Sequence, residues 1–196
     1  MDGDVQLITQ FAGRWALLDF LGVFFATYVP IIIGLVFLIV LLTQKNRRYR
    51  AYVFFFWLFS TLLTSGVIEP LINFLFPRPR PFVTYELVPL IPMDSANPSF
   101  PSWHAVFLFT LATVVFLAMS RKWGAWLYIL ATLIGAARVF VGVHYPLDII
   151  VGALIGFLIP VLVQLFLPST DKPKPKTEPT EEVEVGETEE DGLNHE

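Results

Sequence analysis

The stretch between Asp19 and Lys45 reads FLGVFFATYVPIIIGLVFLIVLLTQ and contains no charged residue. A helix that crosses a bilayer needs roughly 20 mostly apolar residues, so this stretch predicts one tilted membrane span. Four further runs that are almost free of charge predict four more spans, at residues 51–76, 102–120, 123–141 and 146–167. The predicted fold is therefore an all-α, polytopic bundle of about five transmembrane helices.

The composition of the whole chain agrees with this fold class. Of 196 residues, 55% are hydrophobic and 15% are charged, whereas soluble domains carry about a quarter charged residues. Residues 5–18 are amphipathic, and we expect an N-terminal helix that lies in the membrane interface. The absence of Cys excludes disulfides and thiolate metal sites. The acidic start MDGDVQLITQ argues against a cleavable signal peptide.

The charges divide the chain into two predicted domains. Residues 169–196 hold ten acidic residues and three lysines without any apolar period, so we expect a disordered acidic tail. Residues 1–168 carry a small excess of basic residues and form the predicted membrane-embedded domain.

Basic residues are unevenly distributed between the two predicted sides of the membrane. One side holds the tail lysines and the loop residues Lys45, Arg47, Arg48, Arg50, Arg121 and Lys122. By the positive-inside rule this side is cytoplasmic. The loops 76–101 and 138–146 then share the outer face of a cell-membrane protein, and the tail is cytoplasmic.

Two arginines lie in the proline-rich segment PRPRPF, residues 77–82, at an edge of the second span. The guanidinium groups of Arg78 and Arg80 can bind phosphate oxygens through paired, charge-assisted hydrogen bonds. Arginines at a membrane edge also reach toward lipid headgroups, and this segment alone leaves both interpretations open.

A second candidate is the PSWH sequence at the start of the third span. A helix N-terminus offers free backbone N–H groups to an anion, Ser102 could add a hydroxyl donor, and His104 could transfer a proton. Alternatively, Ser102 is only a helix cap and His104 lies with Trp103 in an interfacial aromatic belt.

The third candidate is the segment ARVFVGVHYPLD, residues 137–148. Pro146 is suited to begin a helix, which puts Asp148 in the first turn, within reach of His144. An Asp–His hydrogen bond would fix the imidazole tautomer and leave its other nitrogen free to attack. Asp148 could instead serve only the helix dipole, but this leaves Arg138 and His144 on the same face unexplained.

Together these residues suit phosphoryl transfer. One histidine attacks phosphorus, an aspartate orients it, arginines neutralise the phosphate oxygens, and a second histidine protonates the leaving oxygen. Activity should then depend on pH as a bell-shaped curve. A metal site would need more His or carboxylate ligands than this face offers, so we expect no metal and no cofactor.

In these three motifs the chain resembles the type 2 phosphatidic acid phosphatase (PAP2) superfamily. The family pattern is Lys-x6-Arg-Pro, Pro-Ser-Gly-His and Ser-Arg-x5-His-x3-Asp. Its counterparts here are NFLFPRPRP (73–81), PSWH (101–104) and ARVFVGVHYPLD (137–148), in the same order and with the same internal spacing. The resemblance covers about residues 50–165, and RPRPF, SFPSWHA and GVHYPLD look most like the bacterial undecaprenyl-diphosphatase branch.

This resemblance implies hydrolysis of a polyprenyl diphosphate to its monophosphate on the outer membrane face, which recycles the lipid carrier of cell-wall biogenesis. By position, His144 would form a phosphohistidine, Asp148 would orient it, and His104 would be the general acid. The phosphate-binding residues would be Arg80, Ser102 and Arg138. The family needs no metal.

Three positions depart from the family pattern. Asn73 replaces the lysine and is expected to contact the substrate from that position, where Arg78 could supply the missing charge. Trp103 replaces glycine in the phosphate cradle, where its bulk could restrict the headgroup. Ala137 replaces serine and removes one donor.

Other functions remain open from the sequence. The substrate could be another lipid phosphate, such as phosphatidate, phosphatidylglycerophosphate or lipid A. A non-catalytic protein that binds anionic lipids, or scaffolds partners through its acidic tail, is a further possibility. A transporter is less favoured because the spans show no internal repeat. The expected partners are the lipid phosphate and membrane lipids, without nucleic acid, and the oligomeric state stays open.

Overall fold

The computed structural model describes residues 11–167. Within this range the chain is helical and has no strands. The helices are α1 (Ala16–Leu42), α2 (Arg47–Leu63), α3 (Glu69–Leu75), α4 (Pro81–Thr84), α5 (Trp103–Val114), α6 (Arg121–Phe140) and α7 (Pro146–Phe166). A π-helical turn, Thr64–Ile68, joins α2 to α3, and a second one, Val115–Met119, extends α5.

The all-α membrane fold predicted from the sequence is confirmed. Among residues 11–167, four helical stretches are long and apolar enough to cross a bilayer, and a shorter apolar helix lies at the position of the predicted third span. The four long stretches are Ala16–Leu42, Arg47–Leu75, Arg121–Phe140 and Pro146–Phe166, and the shorter one is Trp103–Met119. The prediction that residues 102–120 form a full-length span is thus met by a helix near the lower limit of spanning length.

Two sequence-based expectations concern residues beyond the described range. The acidic tail at 169–196 and residues 5–10 of the interfacial helix lie outside it. Of the remaining part of that predicted helix, Phe11–Arg14 form a turn, and residues 16–18 already belong to α1.

Two glycines on α7 allow α5 and α7 to pack closely. A Cβ atom on Gly152 would lie 2.8 Å from the Cβ of Ala105 and 2.9 Å from the carbonyl oxygen of Ser102. A Cβ atom on Gly156 would lie 2.6 Å from the carbonyl oxygen of Val106. Small residues of this kind let helix backbones approach one another in membrane proteins. The close approach brings the first turns of α5 and α7 together.

The long segment between α3 and α5 is held against the end of α6. Ile91 is buried in a small apolar cluster with Ala26 and Val143. The backbone N–H of Leu90 donates to the carbonyl of Val141 at 3.2 Å, and the N–H of Ser99 donates to the carbonyl of Arg78 at 2.8 Å. These contacts bring the proline-rich arginine segment to the same end of the bundle as the α6–α7 loop.

Candidate active site

His144 lies in the loop between α6 and α7 and is 3% exposed. Its Nδ1 atom is 2.9 Å from the carbonyl oxygen of Ser99. Because a carbonyl oxygen can only accept a hydrogen bond, Nδ1 must carry the proton. Nε2 then keeps its lone pair, and the Nη1 atom of Arg80 lies 3.5 Å from it. The imidazole is thereby held in the tautomer that a nucleophile requires.

Asp148 is fully buried in the first turn of α7. Its Oδ2 atom accepts a hydrogen bond from the backbone N–H of Tyr145 at 2.9 Å and lies 3.4 Å from Nδ1 of His144. Its Oδ1 atom accepts from Nη1 of Arg78 at 3.3 Å. Asp148 therefore bonds to a backbone N–H at the start of its own helix and also supports the imidazole.

The guanidinium of Arg80 is fixed by backbone carbonyls. It donates to the carbonyl oxygens of Asn97, Pro98 and Val143, each at 3.0 Å. Arg80 is only 7% exposed, and burial lowers its pKa although the charge of Asp148 opposes this shift. Since a guanidinium has five N–H groups, Arg80 keeps donors for an anion beside His144.

Arg138, near the end of α6, is 4% exposed. Its Nη1 atom donates to the carbonyl oxygen of Ala26 on α1 at 3.3 Å. Among residues 11–167, no acceptor bonds to its buried Nε atom. A buried cation without a carboxylate partner is costly, and an anionic ligand is the natural partner for it.

Arg78 and Tyr145 pack against each other beside Asp148. The guanidinium carbon of Arg78 lies 3.6 Å from the ring centre of Tyr145, a cation–π contact. The hydroxyl of Tyr145 donates to Oγ1 of Thr84 at 3.0 Å. The stacked ring and the carboxylate of Asp148 together fix the position of Arg78.

The start of α5 faces the same site. The backbone N–H of Ser102 donates to the carbonyl oxygen of Asp148 at 3.1 Å, and within residues 11–167 its buried hydroxyl has no hydrogen-bond partner. Ser102 directly precedes α5, but its side chain does not cap the helix. Its hydroxyl therefore stays available to a ligand.

His104 is only partly buried, and no group in the described part of the chain hydrogen-bonds to its ring. The charges of Arg138 and Arg80 act on it, so it lies within electrostatic reach of both. The half-exposed ring of Trp103 meets the His104 ring edge-on at 5.2 Å and stacks on Phe107 at 5.3 Å.

The structure does not bring Asn73 into hydrogen-bonding contact with these groups. Its side-chain amide donates to the carboxylate of Glu69, one turn earlier on α3. The direct contact with Asp148 comes instead from Arg78. The role of Asn73 in binding phosphate stays a prediction.

Charge and burial together describe what the site can do. The site holds the three guanidinium groups of Arg78, Arg80 and Arg138, and Asp148 contributes its carboxylate. Burial lowers the pKa of His144 to about 4 although Asp148 opposes this shift. His144 is therefore neutral at pH 7, and the described groups leave an excess of positive charge. In residues 11–167 no three His, Asp or Glu side chains converge as metal ligands do. The arrangement fits a phosphate anion beside an unprotonated imidazole nitrogen.

Several groups of the site were not found from the sequence. The carbonyls of Ser99, Asn97, Pro98, Val143 and Ala26 all bond to site side chains, and backbone groups leave no mark in residue identity. Tyr145 could have been found, because an aromatic residue next to His144 in the same motif is suited to stack on an arginine.

Comparisons with known proteins agree with the geometry. A model of the PAP2 superfamily matches residues 54–170. Undecaprenyl-diphosphatase BcrC of Bacillus subtilis is 33% identical over 160 residues, which are 80% of each chain. A lipid A 1-phosphatase of Rhizobium etli is 31% identical over 58% of this chain and 51% of that protein.

Among solved structures, LpxE of Aquifex aeolicus is similar, with a TM-score of 0.62 and 28% identity. The alignment covers 82% of this chain and 92% of LpxE. The matched region includes all three motifs, and the chain belongs to the PAP2 superfamily.

Proposed function

We propose that this protein hydrolyses undecaprenyl diphosphate to the monophosphate through a phosphohistidine intermediate on His144, at the outer face of the cell membrane. The chain is a membrane lipid phosphatase of the PAP2 superfamily. The proposal concerns its substrate, its mechanism and the side of the membrane on which it acts.

One observation carries the mechanism. The Nε2 lone pair of His144 lies 3.5 Å from Nη1 of Arg80, and Arg138 is buried with its Nε unpartnered in the described chain. A phosphate placed between these groups would receive charge-assisted hydrogen bonds on its oxygens while its phosphorus faces the nucleophile.

In the first step, Nε2 of His144 donates its electron pair to the terminal phosphorus. The bond between that phosphorus and the bridging oxygen breaks, and His104 gives its proton to the departing oxygen. The carbonyl of Ser99 and the carboxylate of Asp148 hold the Nδ1 proton as the ring becomes positively charged. The arginines neutralise the charge that develops on the equatorial oxygens.

In the second step, a water molecule attacks the phosphorus of the phosphohistidine. His104, now neutral, takes a proton from this water, and the P–N bond breaks with its electrons returning to Nε2. Inorganic phosphate leaves, and both histidines regain their starting protonation. General acid and general base are thus one residue acting in turn.

The choice of substrate is supported by the relatives. The undecaprenyl-diphosphatase BcrC aligns over 80% of its length, whereas the lipid A 1-phosphatase aligns over 51% of its own. The second candidate is a phosphatase of lipid A or another lipid phosphate, and the 31% identity to a lipid A 1-phosphatase over 58% of this chain favours it.

The outer location is supported by the charges at the two ends of the bundle. Arg47, Arg48 and Arg50 lie in the first turn of α2, and Arg121 and Lys122 begin α6, at the end opposite to the site. By the positive-inside rule that end faces the cytoplasm. In the same proposal, the membrane domain at 1–168 is followed by a cytoplasmic tail at residues 169–196.

The test is phosphate release from undecaprenyl diphosphate by the purified full-length protein in detergent with EDTA. We expect turnover by the wild type and none by His144→Ala. His195→Ala is the matched control, because this third histidine lies outside the three motifs, and it should keep full activity. A covalent phosphate that withstands alkali and is lost in acid should be trapped on the wild type.

Parallel assays with phosphatidate, phosphatidylglycerophosphate and lipid A decide between the substrate candidates. A higher kcat/KM on lipid A than on undecaprenyl diphosphate would favour the second candidate. Full activity in both His144→Ala and His104→Ala would contradict the mechanism. Binding of these lipids without turnover of any would support the non-catalytic alternative instead.

A further inference from the structure

Among residues 11–167, the long helices α1 and α7 each contain a proline in the helix interior. Pro30 lies inside α1, and Pro160 lies inside α7. Proline has no backbone N–H, so the carbonyl four residues earlier loses its helical hydrogen bond. The carbonyls freed in this way belong to Ala26 and Gly156. A buried carbonyl of this kind needs a donor from elsewhere.

Both freed carbonyls accept a hydrogen bond from a side chain on a neighbouring helix. Nη1 of Arg138 donates to the carbonyl of Ala26 at 3.3 Å, and Oγ1 of Thr113 donates to the carbonyl of Gly156 at 3.1 Å. Thr113 shares its one hydroxyl proton between this carbonyl and the carbonyl of Phe109 at 2.7 Å, whereas within residues 11–167 the carbonyl of Ala26 is the one acceptor for Arg138. Thr113 belongs to helix packing in the bundle, whereas Arg138 belongs to the candidate active site.

We infer that Pro30 is a positioning residue for Arg138. The carbonyl of Ala26 is the one hydrogen-bond acceptor that the described chain gives to this guanidinium. It fixes Nη1, partly offsets a buried positive charge, and leaves the other N–H groups unused. This inference rests on the proposed role of Arg138 as a ligand of the substrate phosphate.

The substitution Pro30→Ala restores an N–H group that can bond to the carbonyl of Ala26 along the helix axis. The restored bond turns this carbonyl back into α1 and competes with the guanidinium. Arg138 then loses its anchor and holds a phosphate less well, without any change in the groups that contact the phosphate itself.

Orthophosphate is the probe, and its Kd is measured by calorimetry on the purified full-length protein in detergent. Pro30→Ala should weaken binding about five- to twentyfold. In an Arg138→Gln background the same substitution should change Kd by less than about twofold, because the positioned group is already gone. Pro160→Ala is the matched control, and it should leave Kd within about twofold of the wild type.

A second variant separates the missing N–H from the loss of the proline ring. Incorporation of lactic acid at position 30 replaces the amide by an ester, which has no N–H, and should bind orthophosphate as the wild type does. The inference would be overturned if the Pro30→Ala and ester variants lost affinity for orthophosphate equally. It would also be overturned if Pro30→Ala weakened binding equally in the wild-type and Arg138→Gln backgrounds. So would an unchanged Kd in Pro30→Ala. Turnover of undecaprenyl diphosphate does not enter this test, so failure of the proposed substrate is recognised separately.

Discussion

The two histidines of the site lie near the starts of neighbouring helices, yet their surroundings are opposite. His144 is 3% exposed, with Nδ1 bonded to the Ser99 carbonyl and close to Asp148. His104 is partly exposed, and its ring has no hydrogen-bond partner among residues 11–167. One imidazole is fixed in position and tautomer, and the ring of the other is not held by a hydrogen bond within the described residues.

This difference corresponds to the two tasks that phosphoryl transfer sets. A nucleophile works best when its lone pair is fixed in the direction of attack. A group that first gives a proton and then takes one needs contact with the leaving oxygen and with water. The burial of His144 and the partial exposure of His104 therefore support the two roles in the proposed mechanism.

The largest expected effect on activity comes from substituting each histidine, which tests this contrast directly. His144→Gln should lower kcat on any substrate by on the order of 10⁴-fold or more, because the covalent intermediate cannot form. His104→Gln should cost about 10²- to 10⁴-fold on a lipid monophosphate, whose leaving group is an alkoxide. The loss should be smaller on a diphosphate, because its leaving group is a phosphate with a second pKa of about 6.

The measurement is kcat for both variants on undecaprenyl diphosphate and on phosphatidate, combined with trapping of radiolabelled phosphate on the protein. His104→Gln should accumulate the phosphohistidine on the diphosphate, since it lacks the base of the second step. Equal losses for the two variants on both substrates, with no trapped phosphate, would sink the assignment of roles.

The contrast between the histidines could be predicted from the sequence only in part. Apolar runs of spanning length determined the helices, and motif order placed His104, His144 and Asp148 together. The spacing of His144 and Asp148 around Pro146 also predicted their contact. These features depend on local chemistry along one helix or at its start, which the sequence contains directly.

The groups that separate the two histidines come from distant parts of the chain. Ser99 reaches His144 only because the segment before α5 folds back over the α6–α7 loop. Arg138 meets Ala26 across 112 positions of sequence. Asn73 was assigned to the phosphate by motif position, although its amide bonds to Glu69. Long-range backbone contacts depend on the whole fold and leave no local pattern.

A substitution in the packing between the helices tests the geometry of the pair. In Gly152→Ala, the new Cβ would lie 2.8 Å from the Cβ of Ala105 and 2.9 Å from the carbonyl of Ser102. Neither neighbour is a flexible side chain, so the first turn of α5 must move away from α7 and carry His104 with it. A displacement of about 1 Å can lower kcat by about 10²-fold.

Gly34→Ala is the control for this substitution, because a Cβ at Gly34 meets no atom within 4 Å. Both variants should fold, as judged by size-exclusion chromatography in detergent, and only Gly152→Ala should lose kcat. Retention of full activity by Gly152→Ala would mean that the close approach of α5 and α7 does not set the distance between the histidines.

The smallest expected effect is a dependence of stability on pH. Burial lowers the pKa of His144 to about 4, whereas an unfolded histidine has a pKa of about 6.5. Between these values the unfolded chain binds a proton that the folded chain does not. Stability from this residue is therefore fully present above about pH 6.5 and falls as the pH is lowered toward 4.

Thermal denaturation at pH 7 and pH 5 measures this effect in the wild type and in His144→Gln. The wild type should lose a few degrees more of Tm than the variant, since about 1 kcal/mol shifts Tm by roughly 2–4 °C in a chain of this size. Equal losses of Tm in the wild type and the variant would mean that His144 has the same pKa in the folded and the unfolded chain. The same lowered pKa keeps His144 unprotonated at pH 5.5. The loss of activity that protonation of His144 causes should therefore have its midpoint near pH 4 and not near pH 6.5.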